Sequence, residues 1–281
     1  MEQSINLEFV QIRRGTEEKR SIREALDLCR EAGFMRLDFL TDVQTPDYLE
    51  QAKKAREIID AQGMKVIQSH CPFFRYGENG LAKFKEFAPK AVEAAAILGA
   101  EFLVLHADEY RSGGAFDAAE SLRQTREYLK PVIDLCVAKG VRPAIENLFE
   151  DQYGSPGRSR YTSEAEEVVA VIESFPGSGI GCCWDSGHHN VSFGEEKFFE
   201  KLNILAPYII CTHMHDNKYG KDMHKPAFFG TIAWEKVMEI LKKAGYQGDF
   251  NWEFVYERVP DAVYADYLKF MHRCGEYLCN R

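Results

Sequence analysis

The segment THMHDNKYGKDMH, residues 212–224, sets three histidines and two aspartates within thirteen positions. Imidazoles and carboxylates at that density form either a solvated polar loop or part of a divalent-cation site. The ends of other apolar runs carry the same residue types. KVIQSH ends in His70, EFLVLH in His106, RPAIEN carries Glu146, and GIGCCWD ends in Asp185 with His188 just beyond. YIICTHMH ends in His213 and His215 and leads to Asp222 and His224, and DFNWEF carries Glu253. A lone histidine at such a place is more often a packed core residue, and a lone carboxylate more often a helix cap. Seven of the eight histidines follow the pattern, however, and only His272 lies outside it. Carboxylates crowded together repel unless neutralised, and a divalent cation neutralises them. The convergence favours a metal site.

That site needs a scaffold that gathers the run ends. The runs INLEFV, FMRLDF, KVIQSH, EFLVLH, RPAIEN, GIGCCWD, YIICTHMH and DFNWEF read mostly as strands buried on both faces. Between them lie amphipathic stretches such as EEKRSIREALDLCREAG, KFKEFAPKAVEAAAILGA, SLRQTREYLKPVIDLCVAKG and IAWEKVMEILKKAGYQG. Several end in glycine, as at Gly33, Gly63, Gly99 and Gly245, which suits a left-handed helix C-cap. Eight strand–helix units predict an α/β fold, a (β/α)8 TIM barrel, as a single domain over residues 1–281. A doubly wound sheet is the competitor, but it usually has fewer strands and often opens on a Gly-rich phosphate loop, absent here. In a barrel the C-terminal strand ends share one rim. Strands 3 to 8 thus deliver a metal-capable side chain to the same place.

Composition agrees with one barrel. The 281 residues compare with ~250 for a typical barrel. With 45% hydrophobic and 12% aromatic residues the chain can bury a large core. A net charge of −9 argues against a surface that coats nucleic acid. Eight scattered cysteines without a CxxC pair read as reduced thiols in a cytoplasmic setting. The start MEQSINLEFV lacks a signal-peptide pattern, and no stretch nears the ~20 apolar residues of a membrane span.

Several motifs in order carry a family resemblance. IEN (145–147), WDSGHHN (184–190), HMHDN (213–217), DMH (222–224), GTIAW (230–234) and WEF (252–254) resemble the xylose isomerase-like TIM barrel superfamily. That group includes sugar phosphate isomerases/epimerases, ketose 3-epimerases, hydroxypyruvate isomerases, inosose dehydratases and endonuclease IV. The resemblance implies a central metal site of Glu146, Asp185, His213 and Glu253, a set that suits Mn²⁺, Co²⁺ or Mg²⁺. Further ligands of endonuclease IV fall at positions matching His70, His106, His188, Asp222 and His224. A His70, His106 and Glu146 set would suit Zn²⁺. Ligand types alone leave a sugar enzyme and a phosphodiesterase both open. INLEFVQIRRG in place of a GAHVS-type opening, DSGHHN in place of DTCHA, and ENLFED in place of ENTAG lean toward the isomerase/epimerase branch. The AFFG at 227–230 departs from the family's Gly-rich turn and reshapes the expected substrate rim.

The resemblance implies proton transfer next to a carbonyl, with a cation stabilising the enediolate and Glu146 and Glu253 as acid and base. His188 would contact a substrate oxygen, His70 and His106 would bind hydroxyls or a second metal, and His215 and Asp216 would anchor the loop after strand 7. Phe73, Phe74, Phe228 and Phe229 are expected as an apolar wall, and Trp184, Trp234 and Trp252 as packing. Arg75, Arg158, Arg160, Lys218 and Lys225 are rim cations that a substrate phosphate would need. The implied partner is a small carbohydrate, with no membrane, and the net charge of −9 disfavours nucleic acid. The oligomer is left open, a homo-oligomer included. Two alternatives stand: an endonuclease IV-like phosphodiesterase on abasic DNA, and a non-catalytic sugar-binding barrel.

Overall fold

Parallel strands alternate with helices along the chain because runs buried on both faces alternate with amphipathic ones. A computed structural model describes every residue except 13–17, 75–78, 108–115, 151–157, 159, 219, 255–258 and 281. The elements are β1 (Gln3–Asn6), α1 (Leu7–Gln11), α2 (Ile22–Ala32), β2 (Arg36–Asp38), α3 (Tyr48–Ala61), β3 (Lys65–His70) and α4 (Gly80–Leu98). They continue as β4 (Phe102–Leu105), α5 (Ala118–Lys139), β5 (Arg142–Glu146), α6 (Ala165–Glu173), β6 (Gly181–Asp185) and α7 (Ser186–Leu205). The last are β7 (Ile209–His213), β8 (Asp216–Lys218), β9 (Lys221–Lys225), α8 (Trp234–Lys243), β10 (Phe250–Trp252) and α9 (Asp261–Cys279).

Eight strands form one parallel sheet in the order β10-β1-β2-β3-β4-β5-β6-β7. The sheet closes where Met214 N–H donates to Asn251 O (2.7 Å) and Glu253 N–H donates to Met214 O (3.2 Å). The expected TIM barrel is the fold. Ile67, Phe102, Val104, Ala144, Cys183 and Cys211 pack together in a small inner cluster, and a larger core lies between strands and helices. All eight cysteines are free thiols. No helix is long and apolar enough to cross a membrane among the described residues.

Local chemistry explains the helix boundaries. At α2, Ser21 Oγ accepts from Glu24 N–H and the Glu24 carboxylate accepts from Ser21 N–H, a reciprocal cap. The same helix ends at Gly33, whose φ of 103° only glycine adopts without strain. Leu26 and Cys29, three residues apart, are fully buried on its inner face.

Two segments depart from the sequence reading. INLEFV is strand only to Asn6; the Asn6 side chain then accepts from Phe9 N–H (3.3 Å) and caps the short α1. Leu7 and Val10 are buried at the helical i, i+3 spacing. The run YIICTHMH stops as a strand at His213, and the polar stretch after it is the antiparallel hairpin β8–β9. Asp216 holds that hairpin in place: its carboxylate accepts from the Asn217 and Ile232 backbone N–H groups and from Trp234 Nε1–H (2.9 Å).

Candidate functional site

Strand register builds the centre of the site. Asp185 and His213 are direct neighbours across β6 and β7, and Glu146 ends the adjoining β5 beside Cys183. Glu253 follows β10 at the seam where the barrel closes. His213 is fully buried, and its Nδ1 lies 3.2 Å from Glu253 Oε2, 3.4 Å from Glu146 Oε1 and 3.9 Å from Asp185 Oδ2. The four residues of the expected centre are thus brought together.

The flanking residues gather in two further clusters. On one side His70 Nε2 (3.0 Å) and His106 Nε2 (2.9 Å) both face Glu146 Oε2. On the other, His188 Nδ1 lies 3.1 Å from Glu146 Oε1, and its Nε2 is 3.7 Å from Asp222 Oδ2. His224 Nε2 is 3.1 Å from the same Asp222 oxygen. Glu146 therefore bridges two groups, one per oxygen. His224 has a left-handed backbone (φ 44°), a conformation that costs a non-glycine residue about 1–2 kcal/mol. Such strain persists where surroundings over-determine it.

Hydrogen-bond counting shows what this arrangement needs. The His70, His188 and His224 rings each have both nitrogens aimed at acceptors. His70 Nδ1 faces Cys71 O (2.7 Å) while Nε2 faces Glu146; His224 Nδ1 faces Glu253 O (3.2 Å) while Nε2 faces Asp222. A neutral imidazole has one N–H and cannot serve two acceptors. Neither ring nitrogen of His213 makes a hydrogen bond, although both are buried. No Lys or Arg ion pair reaches Glu146, Asp185, Asp222 or Glu253 among the described residues. Positive charge must come from protons on the rings or from a cation.

The titration behaviour follows. Burial penalises the Glu146 charge, yet His213 and His106 hold its carboxyl well below the usual range. Burial likewise opposes charge on Asp185, but His188 and His215 lower its pKa. Burial also disfavours protonated His213, but Glu253 and Glu146 raise it well above the ordinary imidazole value. His188 is raised for the same reason by Asp185, Asp222 and Glu146. His224 is pushed up to about 9 by Asp222 and Glu253 against the effect of burial.

The residues present fit a divalent cation. Three carboxylates and the unbonded His213 Nδ1 form an oxygen-rich centre, whereas His70, His106 and Glu146 form a nitrogen-rich one. His215, His224 and Glu253 also lie close together, but the two rings stack face to face at 4.0 Å and 8°. Lone pairs in parallel planes cannot aim at one ion, so this trio is not a single-ion site.

Other expectations sort by contact. Trp184, Trp234 and Trp252 are fully buried packing residues. Phe73 stacks on the His106 ring at 5.3 Å, whereas Phe74 packs on Phe87 of α4. Phe228 and Phe229 instead lie against Tyr277 and Phe270 of α9. Two unforeseen aromatics touch the site instead, Phe149 against His188 (4.8 Å) and Phe9 against His224 (5.9 Å). Arg158 pairs with Glu167 (2.7 Å), and Arg160 lies over Phe149 and donates to its carbonyl. Lys218 and Lys225 sit on the hairpin, and Arg75 lies outside the described residues.

Sequence reasoning missed Asp38, which is buried at the end of β2 and points one oxygen at His213 Nε2 (3.6 Å). The same oxygen accepts from Gln68 (3.0 Å), Asn251 (3.2 Å) and Asn6 (3.4 Å). The strand-end rule finds it once strand 2 is included.

Known proteins share this architecture. A structure described as a D-tagatose 3-epimerase-like protein superposes with a TM-score of 0.77 at 22% identity, over 100% of this chain and 98% of that one. A D-psicose 3-epimerase from Clostridium cellulolyticum H10 gives 0.74 at 13% identity, over 99% of each chain. At these identities the likeness shows the fold. In sequence, the chain is 24% identical over 267 residues to the uncharacterized protein y4fM of Sinorhizobium fredii, covering 84% of this chain and 82% of that one. It is also 26% identical over 166 residues to a probable endonuclease 4 of Mesomycoplasma hyopneumoniae, covering 56% of each. The profile of one family matches residues 26–274. The chain belongs to the xylose isomerase-like TIM barrel family.

Proposed function

We propose that the protein is a divalent-cation-dependent sugar isomerase or epimerase that moves a proton on and off a carbon next to a carbonyl. One observation carries this reading: Glu146, Asp185 and Glu253 crowd around His213 Nδ1 within 3.2–3.9 Å, with no lysine or arginine paired to them among the described residues. Several similar folds are described as epimerases of ketoses or keto-glucosides. Glu146, Asp185, His213 and Glu253 would hold the central cation, Mn²⁺, Co²⁺ or Mg²⁺. When bound, it offsets the negative charge that develops on the substrate oxygens as the carbon loses its proton.

The protein's own groups do the rest. Glu253 is the more open carboxylate, 12% exposed against 2% for Glu146, and takes the proton. Glu146 would pass back to the carbon a proton that it draws from the facing His70 or His106 ring, and Glu253 would release its own to solvent. His188 donates to a substrate oxygen. Phe73 and Phe149 narrow the entrance beside His106 and His188 and keep water from the reacting carbon. The experiment is metal analysis of the purified protein, then a panel of ketoses and aldoses in D₂O followed by NMR. Cation-dependent deuterium uptake at the carbon beside the carbonyl is expected. No uptake from any sugar by the loaded protein would count against the proposal.

A second reading has its own observation. The positions matching endonuclease IV ligands all fall within the three clusters, which would also support phosphodiester hydrolysis with Zn²⁺. It requires cleavage of an abasic duplex and binding that falls steeply with salt. The net charge of −9 opposes it.

A further inference from the structure

We infer that His215 is a positioning residue that fixes the Asp185 carboxylate for cation binding. The inference rests on the cation reading above. His215 is fully buried, and its Nε2 lies 2.9 Å from Asp185 Oδ1 and 3.0 Å from Oδ2. Asp185 Oδ1 also accepts from His188 N–H at 2.6 Å, as the cap of α7. Two donors thus set the rotation of the carboxylate, and only one of them is a side chain. A ring N–H donating to a ligand carboxylate orients it and tunes its affinity.

Packing and backbone contacts hold the ring in that pose, while its buried Nδ1 makes no hydrogen bond. Its backbone N–H donates to Ser186 Oγ (2.9 Å), and the Ser186 hydroxyl donates to His215 O (2.7 Å). Its face lies flat on His224 at 4.0 Å, and its edge meets His188 at 6.0 Å. Gly187 completes the seat: a Cβ there would lie 1.8 Å from His215 Cε1. The stacked pose keeps His215 from sharing an ion with His224, which leaves the bond to Asp185 as the role of its Nε2.

The test separates donor from ring. His215→Phe keeps the flat ring and removes the donor. His215→Gln places an N–H near the former Nε2 and removes the ring. Mn²⁺ affinity is measured by calorimetry for both variants, for Gly187→Ala, for Asp185→Ala and for the wild-type chain. His215→Phe and Gly187→Ala should weaken binding by about 10–100-fold, and His215→Gln should recover most of it. Wild-type affinity in a folded His215→Phe protein, while Asp185→Ala abolishes binding, overturns this inference and leaves the cation reading intact. Absence of binding in the wild-type chain overturns both. If His215→Phe does not fold, ¹⁵N spectra of the wild-type imidazoles decide. His215 protonated at Nε2 and perturbed by Asp185→Asn supports the inference, and His215 unprotonated there overturns it.

Discussion

The two ends of the barrel handle charge in opposite ways. At the N-terminal ends of the strands, Arg36 clasps Asp249 with two hydrogen bonds of 2.7 and 2.8 Å, and Arg142 lies over the Phe102 ring at 5.5 Å. Burial works against the Arg36 charge, yet the bond to Asp249 raises its pKa further. A cavity of about 350 Å³ opens there, lined by Arg36, Glu101, Arg142 and Tyr246 among others. At the C-terminal ends, buried carboxylates face histidines and no paired lysine or arginine among the described residues. The first end carries its own counter-charge. The second relies on its histidines, and under the proposed function a cation would take over that counter-charge.

That contrast can be broken most strongly at the glutamates. Glu253→Gln should keep a cation, more weakly, and lose about 10²–10⁴-fold of proton exchange, as expected when a general base is removed. Isotope exchange in D₂O is the measurement. Glu146→Gln should lose exchange on the same scale, and more cation affinity than Glu253→Gln does, because both Glu146 oxygens face imidazoles. Near wild-type exchange in a cation-loaded Glu253→Gln protein would eliminate the two-carboxylate mechanism.

Proton competition sharpens the comparison. A cation held by His213 would displace the proton that Glu253 and Glu146 favour there. The raised pKa of His213 means that its protonated form competes with the ion, so affinity falls as pH falls. Calorimetry in buffers of different ionisation enthalpy should show proton release on binding at pH 7. No release would mean that the ring is already neutral.

The opposite end gives a smaller effect of a different kind. Asp249→Asn should lower stability by about 1–3 kcal/mol, since it weakens a buried charged acceptor. Cation affinity should not change, and a large change would remove the distinction between the two ends. The smallest effect is expected at the outer hairpin. Asp222→Asn should alter the central cation's affinity little if Asp222 only braces His188 and His224. Loss of a separate binding event would assign it a second ion.

The barrel was legible because its strands are short apolar runs with chemistry at their ends, and Glu146, Asp185, His213 and Glu253 all fell under that one rule. The rest depended on features that hydrophobic pattern does not encode. Asn6 turns INLEFV from strand into helix through a single side-chain cap. The β8–β9 hairpin has no alternating apolar face and is held by Asp216. The role of His215 depends on a bond between residues thirty positions apart, and Gly187 is informative only once the ring it admits is located. Phe228 and Phe229 were misplaced because a turn's direction is set by contacts, here with α9, rather than by composition.

Anomalous diffraction from crystals loaded with Mn²⁺ decides whether these four side chains hold a cation. A peak is expected with ligand atoms of Glu146, Asp185, His213 and Glu253 at about 2.0–2.6 Å from it. A fully loaded crystal with no peak among those four side chains would contradict it.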